Sequence, residues 1–235
     1  MLLFDFDGTL SPIVDDPDAA VPAPGVVGLL EELTARYRTV GAVSGRPVDF
    51  LAARLPSSLV LSGLYGLESV VDGVRADRTG VEVWRHRVDD AAARAVEQAP
   101  EGMRVEPKGL SVTLHYRGRP ELAEPVLHLA EALAAETGLE ARAAKMSAEL
   151  HPPVDADKGL VVRELAVGAA AILYAGDDLG DLPAFAALAD LRADGRATLA
   201  VAVETSELPA SLRAAADLLV AGPQGIVDLL HALLA

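Results

Sequence analysis

The sequence predicts an α/β protein, a doubly wound parallel sheet of Rossmann-like plan interrupted by a small α/β insert. Three observations lead there. Short apolar runs alternate with helical patterns toward both ends of the 235-residue chain, the signature of parallel strands wrapped by helices. The middle breaks that rhythm and reads as helix, hairpin, helix, hairpin. Apolar residues make up 51% and charged residues 23% of the chain, enough to bury a core.

The elements follow in order. Leu2–Phe6 is an apolar run that ends in Asp-Gly-Thr, a buried strand entering a turn. Gly25–Ala35 has helical periodicity, Thr39–Val43 is a second strand stopped by Ser44-Gly45-Arg46-Pro47, Asp49–Leu55 is helical and Leu59–Ser62 is a third strand. The insert begins with an Ala-rich helix, Val88–Gln98. β-like segments follow at Met103–Glu106 and Ser111–Arg117, then a long helix at Glu121–Glu136 and β-like segments at Leu139–Lys145 and Ser147–His151. Strand and helix then alternate again: Lys158–Leu165 helical, Ala170–Ala175 a strand ending at Gly176-Asp177-Asp178, Leu182–Leu191 helical, Thr198–Val203 and Leu218–Val220 strands, and Gly225–Leu234 a closing helix. The expected division is a core of residues 1–84 and 154–235 with an inserted domain over 85–153.

Bulk chemistry narrows the partners. With 20 basic and 35 acidic residues the net charge is 20 − 35 = −15. Such a surface repels nucleic acid and anionic membranes, so neither is an expected partner, and a phosphate site has to be made locally positive. The chain has no cysteine, which excludes disulfides, thiolate metal sites and cysteine nucleophiles. No apolar run is long enough for a membrane span, and the opening one is too short for a signal peptide. A cytoplasmic monomer is the expectation.

Ligands of open α/β sheets bind beyond the carboxyl ends of the strands, and each unusual polar cluster lies at such an end. Asp5 and Asp7 alternate, so on a strand they share a face and repel unless a cation sits between them. Asp177, Asp178 and Asp181 extend this to an oxygen-rich shell suited to Mg²⁺. Thr9 and Ser44 offer hydroxyl donors to a phosphate, and Lys158 offers a mobile positive charge. Taken singly, each acidic cluster reads equally well as an Asp-rich turn or helix cap. The chain has only three lysines, Lys108, Lys145 and Lys158, two in the insert and one at this cluster.

These residues resemble the haloacid dehalogenase superfamily of phosphohydrolases. Asp5-Phe6-Asp7-Gly8-Thr9-Leu10 is similar to its first motif, Ser44 to its second, Lys158 to its third, and Gly176-Asp177-Asp178 with Asp181 to its fourth. Three further segments are similar to the trehalose-phosphatase family within it: Ser11-Pro12-Ile13, Ser44-Gly45-Arg46, and Glu106-Pro107-Lys108-Gly109-Leu110-Ser111 followed by Leu114-His115-Tyr116-Arg117. The resemblance implies a haloacid dehalogenase core with an α/β cap domain, and an Mg²⁺-dependent phosphatase acting on a small sugar phosphate, trehalose 6-phosphate, through an aspartyl-phosphate.

It further implies that Asp5 is the nucleophile and Asp7 the general acid and base. The metal set is Asp5, Asp7 through its backbone carbonyl, and Asp177, with Asp178 and Asp181 close by. Thr9, Ser44 and Lys158 hold the phosphoryl oxygens. Gly45, Arg46, Glu106, Lys108, Arg117, Lys145 and Glu149 fall on the substrate side. The chain departs from the family pattern at Tyr65, where His is usual, at His151, where Arg or Lys is usual, and at Gly180 and Leu182, where Thr and Glu are usual. The departures at Tyr65 and Leu182 leave open another sugar or pseudo-disaccharide phosphate. A non-catalytic sugar-phosphate sensor, the remaining alternative, requires a broken nucleophile, acid or metal site, and Asp5, Asp7, Lys158 and Asp177 are all present.

Overall fold

The structure, a computed structural model, describes residues 1–235 except Asp15, Lys145, Ser206 and Glu207. The chain divides into two compact units, Met1–Ala76 with Ala156–Ala235, and Asp77–Asp155. The chain passes into the second unit after Ala76 rather than after Trp84, and Trp84 packs on the second unit's own apolar cluster.

The first part of the chain forms β1 (Leu2–Phe4), α1 (Val26–Thr34), β2 (Val40–Val43), α2 (Val48–Ala52), β3 (Val60–Gly63), β4 (Glu68–Val71) and β5 (Val74–Asp77). The second unit supplies α3 (Arg85–Gln98), β6 (Arg104–Pro107), β7 (Val112–His115), α4 (Ala123–Thr137), β8 (Glu140–Ala144) and β9 (Ser147–His151). The chain then returns through α5 (Lys158–Leu165), β10 (Ala171–Gly176), α6 (Leu182–Ala193), β11 (Ala197–Glu204), α7 (Ala210–Ala215), β12 (Leu218–Ala221) and α8 (Gly222–Leu234).

The first unit is built on an eight-stranded sheet of order β12-β11-β10-β1-β2-β3-β4-β5. It is parallel from β12 to β3, and β4 joins β3 antiparallel. Strand alternation divides the apolar side chains between two layers. Leu2, Phe4, Val40, Ala42, Leu173 and Ala175 face one side with residues of α1 and α8. Leu3, Val43, Ile172 and Tyr174 face the other with residues of α5 and α6. The β4–β5 hairpin adds an antiparallel edge to the expected parallel sheet, in the stretch 63–87 for which the sequence pattern gives no element. Its turn, Asp72-Gly73, has positive φ at both residues, 51° and 75°, as a two-residue hairpin turn demands.

The second unit is a four-stranded antiparallel sheet of order β6-β7-β9-β8. Val112, Leu114, Ala148 and Leu150 pack with Val88, Ala91, Ala95, Val126, Ala130 and Leu133 of α3 and α4. The alternate residues make the opposite, polar face. There Glu106, Thr113, Glu149 and Arg142 lie side by side across all four strands.

Candidate active site

β1 lies between β10 and β2, where the strand order reverses direction, the place at which open α/β sheets bind ligands. Asp5 follows β1, and its N–H donates to the Ala175 carbonyl at 2.8 Å, which continues the β1–β10 pairing into the loop. The next turn is held from beneath by the fully buried Phe6 and Leu10 and closed by Gly8 N–H to Ser11 O and Ser11 N–H to Phe6 O, both 2.8 Å. Gly8 has a φ of +78°, and a Cβ there would overlap the Asp177 carboxylate. Glycine is thus what allows the β1 and β10 loops to approach so closely.

Lys158 starts α5, whose N-cap Asp157 accepts a hydrogen bond from Leu160 N–H at 2.7 Å. This places a lysine only 2% exposed with its Nζ 2.8 Å from Asp5 Oδ1 and 2.7 Å from Asp181 Oδ1. Asp181 is the hub. Its Oδ1 also accepts from Tyr174 Oη at 2.7 Å, and its Oδ2 accepts from the N–H groups of Asp177 and Asp178 at 2.9 and 3.1 Å. Asp178 in turn accepts from Gly180 N–H at 2.8 Å, so this acidic turn caps itself. Asp5, Asp177 and Asp181 each bring a carboxylate oxygen within 4.8 Å of the others.

Electrostatics follow from that crowding. Four buried or nearly buried carboxyls, Asp5, Asp177, Asp178 and Asp181, stand around one ammonium. Burial pushes the Asp5 carboxyl well above the ordinary carboxylate range. Lys158 pulls it back, while Asp181, Asp178 and Asp177 add to the rise. Burial raises Asp178 as well, with Lys158 opposing. For Lys158, burial alone would lower the ammonium, but Asp181 and Asp5 outweigh it and hold it well above its usual value. An oxygen-only donor set with surplus negative charge fits a hard divalent cation such as Mg²⁺. Because Asp181 already accepts four hydrogen bonds, it supports the turn, and Asp5 and Asp177 are the members suited to direct contact.

The other expected core residues lie beside this cluster in different roles. Both oxygens of Asp7 are held by Arg46, from Nε at 2.7 Å and Nη2 at 2.8 Å. Arg46, expected on the substrate side, therefore orients Asp7, and its guanidinium is backed by the Phe50 ring at 4.4 Å. Ser44 Oγ accepts from Arg46 N–H at 3.2 Å, which leaves its own O–H to donate. Thr9 Oγ1 is buried and has no hydrogen-bond partner. That hydroxyl is an unused donor, a costly state unless an acceptor arrives.

A sequence model of the trehalose-phosphatase family matches residues 3–217. The chain belongs to the trehalose-phosphatase family. Relatives include the trehalose-phosphate phosphatase of Mycobacterium ulcerans (strain Agy99), 32% identical over 200 residues, which cover 80% of this chain and 51% of that protein. That of Mycobacterium tuberculosis (strain ATCC 25177 / H37Ra) is 35% identical over 214 residues, 78% of this chain and 50% of that one. The chain thus spans about half the length of these relatives. A solved trehalose-6-phosphate phosphatase related protein superposes with a TM-score of 0.78 at 26% identity, covering 99% of this chain and 96% of its own. The C-terminal domain of C. albicans trehalose-6-phosphate phosphatase gives 0.77 at 26%, covering 99% and 91%. A haloacid dehalogenase-like hydrolase from Bacteroides thetaiotaomicron, at 14% identity and a TM-score of 0.66, shares the fold.

The family's cap segment lies in the second unit. Glu149, 3% exposed, accepts from Ser111 Oγ at 2.8 Å and has Lys108 Nζ and His151 Nε2 each at 3.5 Å. Burial by itself would raise its carboxyl, but Lys108, His151 and Ser111 outweigh that and hold it down to about 2. Glu106 pairs instead with His115, Nε2 to Oε2 at 2.6 Å. Arg117 is half-buried in the turn after β7, and Lys145 lies outside the described residues. Sequence reasoning misses Tyr174, Ser111 and His151 as parts of these two clusters. Ser111 and His151 carry a signal, since they continue the same alternation as Glu149 along β7 and β9. Tyr174 carries none, being one more apolar-patterned residue of a buried strand.

Proposed function

We propose that the chain is an Mg²⁺-dependent phosphatase that hydrolyses trehalose 6-phosphate to trehalose and phosphate in the cytoplasm. The observation that carries the reading is the bonding of buried Lys158 to both Asp5 and Asp181 with Asp177 within reach. It gives a nucleophile, an electrostatic clamp and an anionic pocket for a cation in one place. The family membership and the names of the relatives support the substrate. The absence of cysteine suits a reducing compartment.

Asp5 attacks phosphorus, and the bond from phosphorus to the sugar oxygen breaks as the aspartyl-phosphate bond forms. Asp7, steered by Arg46, gives its proton to the departing oxygen. It then takes one from the water that attacks the phosphoaspartate, releasing phosphate and restoring Asp5. Thr9, Ser44 and Lys158 donate to the phosphoryl oxygens as charge builds on them. When bound, Mg²⁺ would supply the positive charge that lets the Asp5 and Asp177 carboxylates and a phosphate share the pocket. In the second unit, the Lys108–Glu149 pair and Glu106 present the donors and acceptors that sugar hydroxyls need.

The test is a panel of phosphate esters with Mg²⁺ and with EDTA. Release of phosphate from trehalose 6-phosphate, much faster than from simple hexose phosphates and lost in EDTA, is the expected result. Equal rates across the panel would reject the disaccharide, release that persists in EDTA would reject the metal dependence, and absent release would reject the phosphatase.

A further inference from the structure

One residue beside the site takes no part in this chemistry. Tyr65 follows β3 in the turn Leu64–Gly66. Leu64 and Tyr65 have positive φ in succession, 50° and 58°, in the left-handed region that residues other than glycine avoid. Strain of this kind persists only where the surroundings impose it, and here several parts of the active site do so. The N–H groups of Leu64 and Tyr65 donate to the carbonyls of Arg46 and Ser44, both at 3.0 Å. The turn is therefore stitched to the loop that presents the Ser44 hydroxyl. The helix headed by Lys158 packs on the same turn. The Tyr65 ring rests on Gly45, where an added Cβ would stand 2.7 Å from its Cζ and Oη. The ring edge reaches Gly180, where a Cβ would stand 3.5 Å from Cε1. Leu64 is fully buried and anchors the turn.

We propose that Tyr65 is a positioning residue. Its ring is the spacer that holds the Ser44–Arg46 turn and the Asp177–Asp181 turn at the separation that one phosphoryl group and one cation require. The inference deepens the phosphatase reading and rests on it for the roles of the two turns. At both contact points the neighbour is glycine. A Cβ at 45 would collide with the ring, whereas one at 180 would meet the ring edge in ordinary van der Waals contact. Tyr65 and Gly180, two of the departures from the family pattern, are therefore one spatial pair, a large ring on one side and a missing side chain on the other.

The test compares Tyr65→Phe, Tyr65→Leu and Tyr65→Ala in the whole chain. Orthovanadate binding in the presence of Mg²⁺ is followed by calorimetry, Mn²⁺ binding by electron paramagnetic resonance, and folding by circular dichroism. Tyr65→Phe keeps both affinities within about twofold of wild type, whereas Tyr65→Ala weakens both about tenfold with its fold intact, the scale expected when a site is displaced by a fraction of an ångström. Tyr65→Leu falls between them and supplies the reading if Tyr65→Ala does not fold. A role confined to stability would lower the unfolding midpoint of the variants and leave both affinities unchanged, which overturns the proposal. A tenfold loss in Tyr65→Phe also overturns it, because the hydroxyl rather than the ring would then carry the effect. Neither measurement involves the sugar. Failure of the wild-type chain to hydrolyse trehalose 6-phosphate would reject the substrate, while the vanadate and Mn²⁺ affinities would still decide the role of Tyr65.

Discussion

Each of the two units buries a carboxylate against a lysine, and the two carboxyls respond in opposite directions. In the first, Asp5 contacts Lys158 at 2.8 Å, yet its carboxyl is pushed well up. In the second, Glu149 is 3.5 Å from Lys108, yet it is held down to about 2. Burial acts the same way on both. The difference is the company: Lys158 is shared with Asp181 and two further aspartates stand close, whereas Glu149 is surrounded by Lys108, His151 and Ser111. A lysine within reach is thus no guarantee of a stable carboxylate. The local count of charges and donors decides: it leaves the first cluster with surplus negative charge, which suits an added cation, and the second with its carboxylate balanced.

That contrast can be broken or sharpened in four ways. Asp5→Asn removes the proposed nucleophile and is expected to lower turnover by about 10³-fold or more, read as phosphate release. The same variant, metal-free, is at least as stable as wild type in urea unfolding, because one of the crowded carboxylates is gone. Arg46→Ala frees Asp7 from the guanidinium that orients it and lowers kcat by about 10²-fold with little change in KM, read by steady-state kinetics. Glu149→Gln has the opposite sign to Asp5→Asn: it destabilises at pH 7 by on the order of 2–3 kcal/mol. Because the Glu149 carboxyl sits near 2 when folded and near 4.5 otherwise, its contribution is full above pH 4.5. It fades as pH falls from 4.5 toward 2, and urea unfolding of both proteins between pH 7 and 3 should show the gap closing. Lys108→Ala is the mildest, raising KM about tenfold while kcat stays within about twofold.

Much of this is legible in the strand ends. Ser147–His151 and Lys158–Leu165 have the same bounds when read from the sequence and in the structure, because alternation and an Asp cap are strong local signals. The β4–β5 hairpin escapes the sequence pattern despite the Asp72-Gly73 signal, since the strands beside it are short and, in β5, exposed. The convergence of Asp5, Lys158 and Asp177 is readable from their order at the ends of β1 and β10 and the start of α5. Arg46 on Asp7 is not, because a guanidinium 39 residues away reaches its partner only after β1 and β2 are paired. The strained Leu64–Tyr65 pair is equally invisible, since Leu and Tyr carry no local preference for positive φ.

By itself the sequence determined most of the elements, the family and the residue types proposed to hold phosphate and cation, because periodicity, glycine turns and motif spacing are local or linear properties. Only the tertiary structure decided that Asp181 is saturated by four donors, that Asp7 belongs to Arg46, and that Glu149 is low while Asp5 is high. The reason is physical: proton affinity and hydrogen-bond saturation depend on which groups from distant segments are packed within a few ångströms, and on how much water they exclude.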